Sequence, residues 1–149
     1  MITFRHTLFS NPDFKKLIVE LDKEFEVRYP FLQEITASYN LLDEVARVII
    51  AYENLTPVAC GAFRPVDEMT IEIKRMYTTL ANRNKGIGKK ILMELETWAL
   101  KEGFSIAILE TGIYQPEAIA AYQKSGYTRI PNFAPYIDIK ESICMRKYL

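Results

Sequence analysis

The first half of the chain changes its apolar period several times, and each change marks an element. Ile2–Leu8 (ITFRHTL) alternates imperfectly and reads as an edge strand. Ser10-Asn11-Pro12 is a helix start, a polar cap followed by proline at the first helical position. Phe14, Leu17, Ile18, Leu21 and Phe25 then recur at three- and four-residue spacing, which predicts an amphipathic helix to about Glu26. Tyr29-Pro30-Phe31 breaks that pattern, and residues 31–45 read as loop plus a short second helix. Val45–Glu53 (VARVIIAYE) is a buried strand, Asn54-Leu55-Thr56-Pro57 a turn, and Val58–Pro65 (VACGAFRP) the returning arm of a hairpin. Val66-Asp67-Glu68 turns the chain once more into Thr70–Thr78, so three strands with short connections predict an antiparallel meander.

The period lengthens again after Gly86 and Gly88. Ile87, Ile91, Leu92, Leu95, Trp98 and Ala99 fall on one helical face, while Lys89, Lys90, Glu94, Lys101 and Glu102 fall on the others, with Lys90 and Glu94 one turn apart. Gly103 is the natural stop. Phe104–Glu110 (FSIAILE) is a strand, and the helix before it requires it to lie parallel to the strand preceding that helix. Gln115 caps a further helix that starts at Pro116, carries Ala118, Ile119, Ala121 and Tyr122, and closes at Ser125-Gly126. Tyr127–Ile130 begins another strand, and Tyr136–Leu149 holds the last strand or hairpin arm. This order excludes a doubly wound sheet. It predicts an α+β fold: a central mixed, mostly antiparallel sheet flanked by about four helices, with one parallel strand pair, in a single domain over residues 1–149.

Composition narrows the partners. Nineteen basic and nineteen acidic side chains cancel, so no overall field draws nucleic acid or an anionic membrane. No apolar run reaches the length of a membrane span, and MITFRHTLFSNPDF lacks the apolar core of a signal peptide. Cys60 and Cys144 lie far apart with no CxxC pattern, which reads as reduced thiols in a cytoplasmic protein, with neither a disulfide nor a metal site.

The chemistry is concentrated in Ile71–Gly103, a strand, a glycine-bearing loop and a helix start, an arrangement that offers backbone donors to a phosphate. A dinucleotide fingerprint fails because Ile91 stands where the third glycine belongs, and a Walker loop fails because Lys90 follows Gly88-Lys89 and Arg83 stands at the first glycine. What remains is Arg83-Asn84-Lys85-Gly86-Ile87-Gly88, an (R/Q)xxGx(G/A) signature. Together with Glu72 eleven residues before Arg83, the strand end Leu109–Gly112 (LETG) and the segment Gln115–Tyr127 (QPEAIAAYQKSGY), it makes the chain resemble the GNAT superfamily of acetyl-coenzyme A-dependent N-acetyltransferases over nearly its whole length. Glycine at 86 and 88 would let the backbone approach a pyrophosphate, with Arg83 and Lys85 adding charge.

The resemblance implies acetyl-CoA as cofactor and a primary amine, on a small molecule or peptide, as acceptor. It implies that Met76, Tyr77 and Thr78 run beside the pantetheine arm where two parallel strands splay apart, with the Met76 N–H polarising the thioester carbonyl. Arg83, Asn84, Lys85, Gly86, Ile87, Gly88 and Lys89 would hold the pyrophosphate, and Gln115 stands where the family often has an asparagine that contacts pantetheine. Glu72 would be the base that takes the amine's proton, directly or through water, and Tyr122 the acid facing the cofactor sulfur. Arg28, Tyr29, Phe31, Tyr39, Glu110, Phe133 and Tyr136 are candidates for the acceptor side, although such aromatics could equally pair two copies of the chain as a homodimer. Cys60 or Cys144 as a covalent nucleophile, with His6 as its base, is the weaker alternative to direct transfer in a ternary complex. A non-catalytic coenzyme A sensor would not need Glu72 and Tyr122, and a purely structural domain would not need Arg83–Gly88.

Overall fold

Burial from both sides explains the long apolar run near the middle of the chain. In the computed structural model, which describes residues 1–32, 37–40, 42 and 44–149, it forms β2 (Arg47–Glu53) between β1 (Ile2–Leu8) and β3 (Thr56–Pro65). Val48, Ile50 and Tyr52 pack with Phe14 and Leu17 of α1 (Pro12–Arg28). Ile49 and Ala51 point the other way, toward Ile91 and Leu95 of α2 (Ile87–Lys101). A strand covered by a helix on each face has no polar side to alternate with.

The sheet continues with β4 (Thr70–Thr78), β5 (Ile106–Gly112), β6 (Thr128–Ile130) and β7 (Ser142–Tyr148), in the order β1-β2-β3-β4-β5-β7-β6. β2 to β4 form the expected antiparallel meander with β1 as the antiparallel edge strand beside β2, α2 crosses over to make β4 and β5 parallel, and β7 inserts antiparallel between β5 and β6. A last helix, α3 (Pro116–Lys124), follows β5. The described residues hold three α-helices and two short 3-10 turns, Ala37–Asn40 and Leu80–Asn82. The second helix expected within residues 31–45 falls partly on 33–36, 41 and 43, which lie outside the described residues.

Boundaries move where backbone pairing outvotes propensity. β3 begins at Thr56 because Thr56 and Pro57 still pair with Glu53 and Tyr52, leaving Asn54 at φ +56° in the tight turn. β5 starts and ends two residues later than Phe104–Glu110, because β7 pairs with it as far as Gly112. Glu94 does not join Lys90; its carboxylate lies 3.3 Å from Nε2 of His6, whose ring stacks on Trp98 at 4.4 Å.

Candidate active site

Two departures from regular pairing open the sheet at β4. Parallel pairing with β5 runs from Thr70–Ile106 to Ile73–Leu109 and stops, although β4 continues to Thr78 and β5 to Gly112. The β5-facing edge of residues 74–78 is therefore left without a strand partner. On the other edge the register with β3 slips between Cys60 and Ala62, so that Arg75 and Met76 share the place opposite Gly61. Arg75 takes φ +58° to make this bulge, a conformation that strains a residue with a Cβ. Its consequence is that Lys74 and Arg75 both reach groups on the α1 side, the Tyr39 carbonyl and Asp22, while Met76 turns toward α2. Gly61 makes room for that turn, since a Cβ there would collide with Met76 Sδ and Ile91.

A cavity occupies the gap, lined among others by Glu72, Lys74, Met76, Glu110, Gln115, Tyr122, Tyr136 and Ser142. Glu72 alternates with Ile71 and Ile73 as its sequence context requires, but it does not face open solvent: it is 2 % exposed. Arg64, its cross-strand partner, donates Nε and Nη2 to Oε1 at 3.1 and 2.9 Å, and Lys74 Nζ lies 3.7 Å from Oε2. Glu110, on the same face of β5, accepts a 2.7 Å hydrogen bond from Ser142 Oγ. Burial pushes its carboxyl pKa up to about 7, with Glu72 adding to the rise and Ser142 and Lys74 opposing it. Burial pulls the Lys74 ammonium below its ordinary value, against the opposing pull of Glu72.

The α2 side of the gap carries Tyr122, half-buried against Tyr127, its hydroxyl without a hydrogen bond to any described residue. Burial and then the Glu110 charge raise its pKa, so the phenol keeps its proton. The rim nearest α1 is a clasp. Tyr29 Oη donates to Gln115 Oε1 at 3.2 Å and accepts from the Tyr114 N–H at 3.2 Å, while Arg28 holds the Tyr114 carbonyl and Glu117. Gly112 admits the Tyr29 ring, because a Cβ at 112 would collide with the hydroxyl. Gln115 thus stands at the cap position of α3 but spends its side chain on Tyr29 instead of capping.

Beyond β4 the chain makes a 3-10 turn and enters α2 through Gly86, at φ +79°, with no side chain capping the helix. Asn84, Lys85, Gly86 and Lys89 are exposed, a Cβ at Gly86 would meet nothing within 4 Å, and the first free N–H groups of α2 point out of this open loop. Arg83 is engaged elsewhere: it donates to the Thr78 carbonyl at 2.9 Å and to Glu24 at 2.7 Å, and lies over the Tyr77 ring at 5.6 Å. The splayed edge, the uncapped helix start and the open Gly86 suit a long ligand with a phosphate at one end and an extended amide arm at the other.

Sequence reasoning and geometry meet at Glu72, Met76, Glu110, Gln115, Tyr122, Tyr29 and Tyr136, which share one cavity. Four acceptor-side candidates lie outside its lining. Phe31 is 92 % exposed, Arg28 is spent on the clasp, and Tyr39 and Phe133 stand edge-on to Tyr136 with ring centroids 5.8 and 5.7 Å away. Lys74, Arg75 and Ser142 were missed. Strand parity hides Arg75, because only the bulge brings it to the face of Lys74. Cys60 and Cys144 are buried, with thiol pKa values pushed up to about 12 and about 11, which suits packing rather than attack. No group of three or more potential metal ligands exists among the described residues.

The model of the acetyltransferase (GNAT) family matches residues 14–127. The IAA acetyltransferase of Azospirillum brasilense is 35 % identical over 141 residues, covering 90 % of this chain and 89 % of the relative. A protein assigned as an acyl-CoA N-acyltransferase in Klebsiella pneumoniae superposes with a TM-score of 0.84 at 31 % identity, over 100 % of this chain and 98 % of the other. The structure of a GNAT family acetyltransferase from Elizabethkingia anophelis with acetyl-CoA bound superposes with a TM-score of 0.72 over 99 % and 98 % of the two chains; at 19 % identity the likeness is one of fold.

Proposed function

This chain belongs to the GNAT acetyltransferase family, and we propose that it moves the acetyl group of acetyl-CoA to a primary amine by direct transfer, with both substrates held at the β4–β5 gap. The observation that carries this reading is the gap itself: an unpaired strand edge lined by a carboxyl with a pKa of about 7 and a protonated phenol.

Acetyl-CoA, when bound, supplies an acetyl group already activated as a thioester. The open loop of residues 84–89 would bind its pyrophosphate through the free N–H groups of α2, with Lys85 and Lys89 adding charge. The edge of residues 76–78 offers backbone partners to an amide arm, and the Met76 N–H is the donor available to a carbonyl oxygen at the gap. Arg83 can join through the N–H groups that Thr78 and Glu24 leave free.

On the acceptor side an ammonium near pKa 10 must lose a proton before its lone pair is available. Glu110 is the better match for that task, because a base works best when its pKa lies near the working pH. Glu72, the base expected from the sequence, has one oxygen held by Arg64 and the other facing Lys74. Its contribution is the negative charge that raises the proton affinity of Glu110. Tyr122, with its pKa above that of a free phenol, stabilises a departing thiolate as a hydrogen-bond donor, since a thiol near pKa 8.5 is the stronger acid of the two. Two buried, unpaired cysteines suit a reducing compartment, the cytoplasm.

The test is a panel of primary amines incubated with the protein and acetyl-CoA, followed by thiol release and the mass of the amine product. Amine-dependent release with an acetylated product is expected. Acetyl-CoA binding without release for any amine would favour a sensor.

A further inference from the structure

Among the described residues two buried side-chain nitrogens lack a hydrogen-bond partner, Arg75 Nη1 and Arg146 Nε. Arg146 stands on β7 opposite Ile108, outside the cavity lining, whereas Arg75 is part of that lining. The Arg75 side chain is 4 % exposed, and its Nη2 donates to Asp22 at 2.5 Å. Buried donors are nearly always satisfied, so an orphan beside a binding cavity points to an acceptor that arrives with the ligand.

The neighbours say what kind of acceptor. The bulge sets two consecutive cations, Lys74 and Arg75, on one face of the sheet, both buried. Asp22 answers one N–H of Arg75, and the Tyr39 carbonyl takes one hydrogen of the Lys74 ammonium, so each cation keeps a donor to spare. Glu72, the nearest carboxylate to Lys74, is already shared with Arg64. Desolvation of Lys74 is a penalty that a bound anion would relieve. Around the cations the walls are apolar or aromatic: Leu21, Phe25, Tyr29 and Tyr136.

We propose that the acceptor amine carries a carboxylate, as a free amino acid with an apolar side chain does, and that Arg75 and Lys74 hold this carboxylate while Glu110 faces the amine. The proposal rests on the acetyl-transfer reading above and adds the substrate class to it. Arg75 is a specificity residue here, since it touches the acceptor and not the reacting atoms.

Paired acceptors that differ only in the carboxylate test it: L-leucine against 3-methylbutylamine, and L-phenylalanine against 2-phenylethylamine, scored by kcat/KM for thiol release. The carboxylate-bearing member of each pair is expected to be favoured by about 10- to 100-fold, mainly through KM, as charge-assisted hydrogen bonds allow. Arg75→Gln should remove most of that preference and Arg75→Lys only part of it, with acetyl-CoA affinity reporting that each variant is folded. Equal or reversed preference in the wild-type protein overturns the proposal. An activity-free arm compares the wild-type binding of N-acetyl-L-leucine and N-(3-methylbutyl)acetamide by calorimetry: tighter binding of the acid supports the carboxylate site, and equal binding refutes it. If no amine of either kind is turned over, the acetyl-transfer reading fails, and the calorimetry still decides the carboxylate site.

Discussion

Glu72 and Glu110 share one face of the sheet on neighbouring strands, and their surroundings set them apart. Arg64 and Lys74 surround Glu72, while Glu110 has a neutral Ser142 donor and a buried position that favours its protonated form. If Glu110 is the base, Glu72→Gln removes a charge that raises the Glu110 pKa, so the acid limb of the kcat/KM profile should move to lower pH and persist. Loss of the limb in that variant would return the role to Glu72. The same shift affects stability. A carboxyl whose pKa is about 7 when folded and about 4.3 in an unfolded chain binds more protons in the folded state, so stability is greatest below the unfolded value and falls as pH rises toward 7. The loss is of order 3 kcal/mol by pH 8. Glu110→Gln should therefore raise the melting temperature at pH 8 and change it little at pH 4, by differential scanning calorimetry; equal effects at both pH values would remove the buried ionisation. Tyr122→Phe should lower kcat by about 100-fold, the scale of one lost transition-state donor, while acetyl-CoA affinity is kept.

At the scale of elements, glycines and a strained arginine let backbone and side chains approach where the sheet opens. Gly61 lets Met76 turn toward α2, and Gly112 lets Tyr29 close over the end of β5. Alanine at either position should destabilise the fold by about 1–3 kcal/mol through overpacking, measurable by urea denaturation. Gly112→Ala should also loosen the clasp and raise KM for the acceptor. The loop before α2 depends on open donors instead. Gly86→Asp adds a negative charge and a strained Cβ at φ +79°, and calorimetry should find acetyl-CoA binding abolished, with the melting temperature showing that the fold survives.

Across the whole molecule, most elements were legible because their apolar periods are long and their stops are glycine, proline or a polar cap. The Ile71–Gly103 unit was readable down to the strand ends of β4, since a buried strand and an amphipathic helix meet there at a motif with fixed spacing. What escaped was set by pairing between distant segments. The bulge at Arg75 leaves no mark in the local pattern, because a register slip depends on β3. The raised proton affinity of Glu110 depends on β4, β7 and a cavity, none of which a strand-end glutamate reveals. The clasp similarly joins Tyr29 to Gln115 across 86 positions of sequence. The proposed chemistry rests on a base at Glu110 in the β4–β5 gap. Its most direct test is thiol release from acetyl-CoA with the wild type's best amine, followed from pH 5 to 9 in the wild type and in Glu110→Gln. The wild-type kcat/KM should rise through about pH 7, and the variant should lose about 100-fold or more together with that rise. An unchanged rate and profile in Glu110→Gln would contradict it.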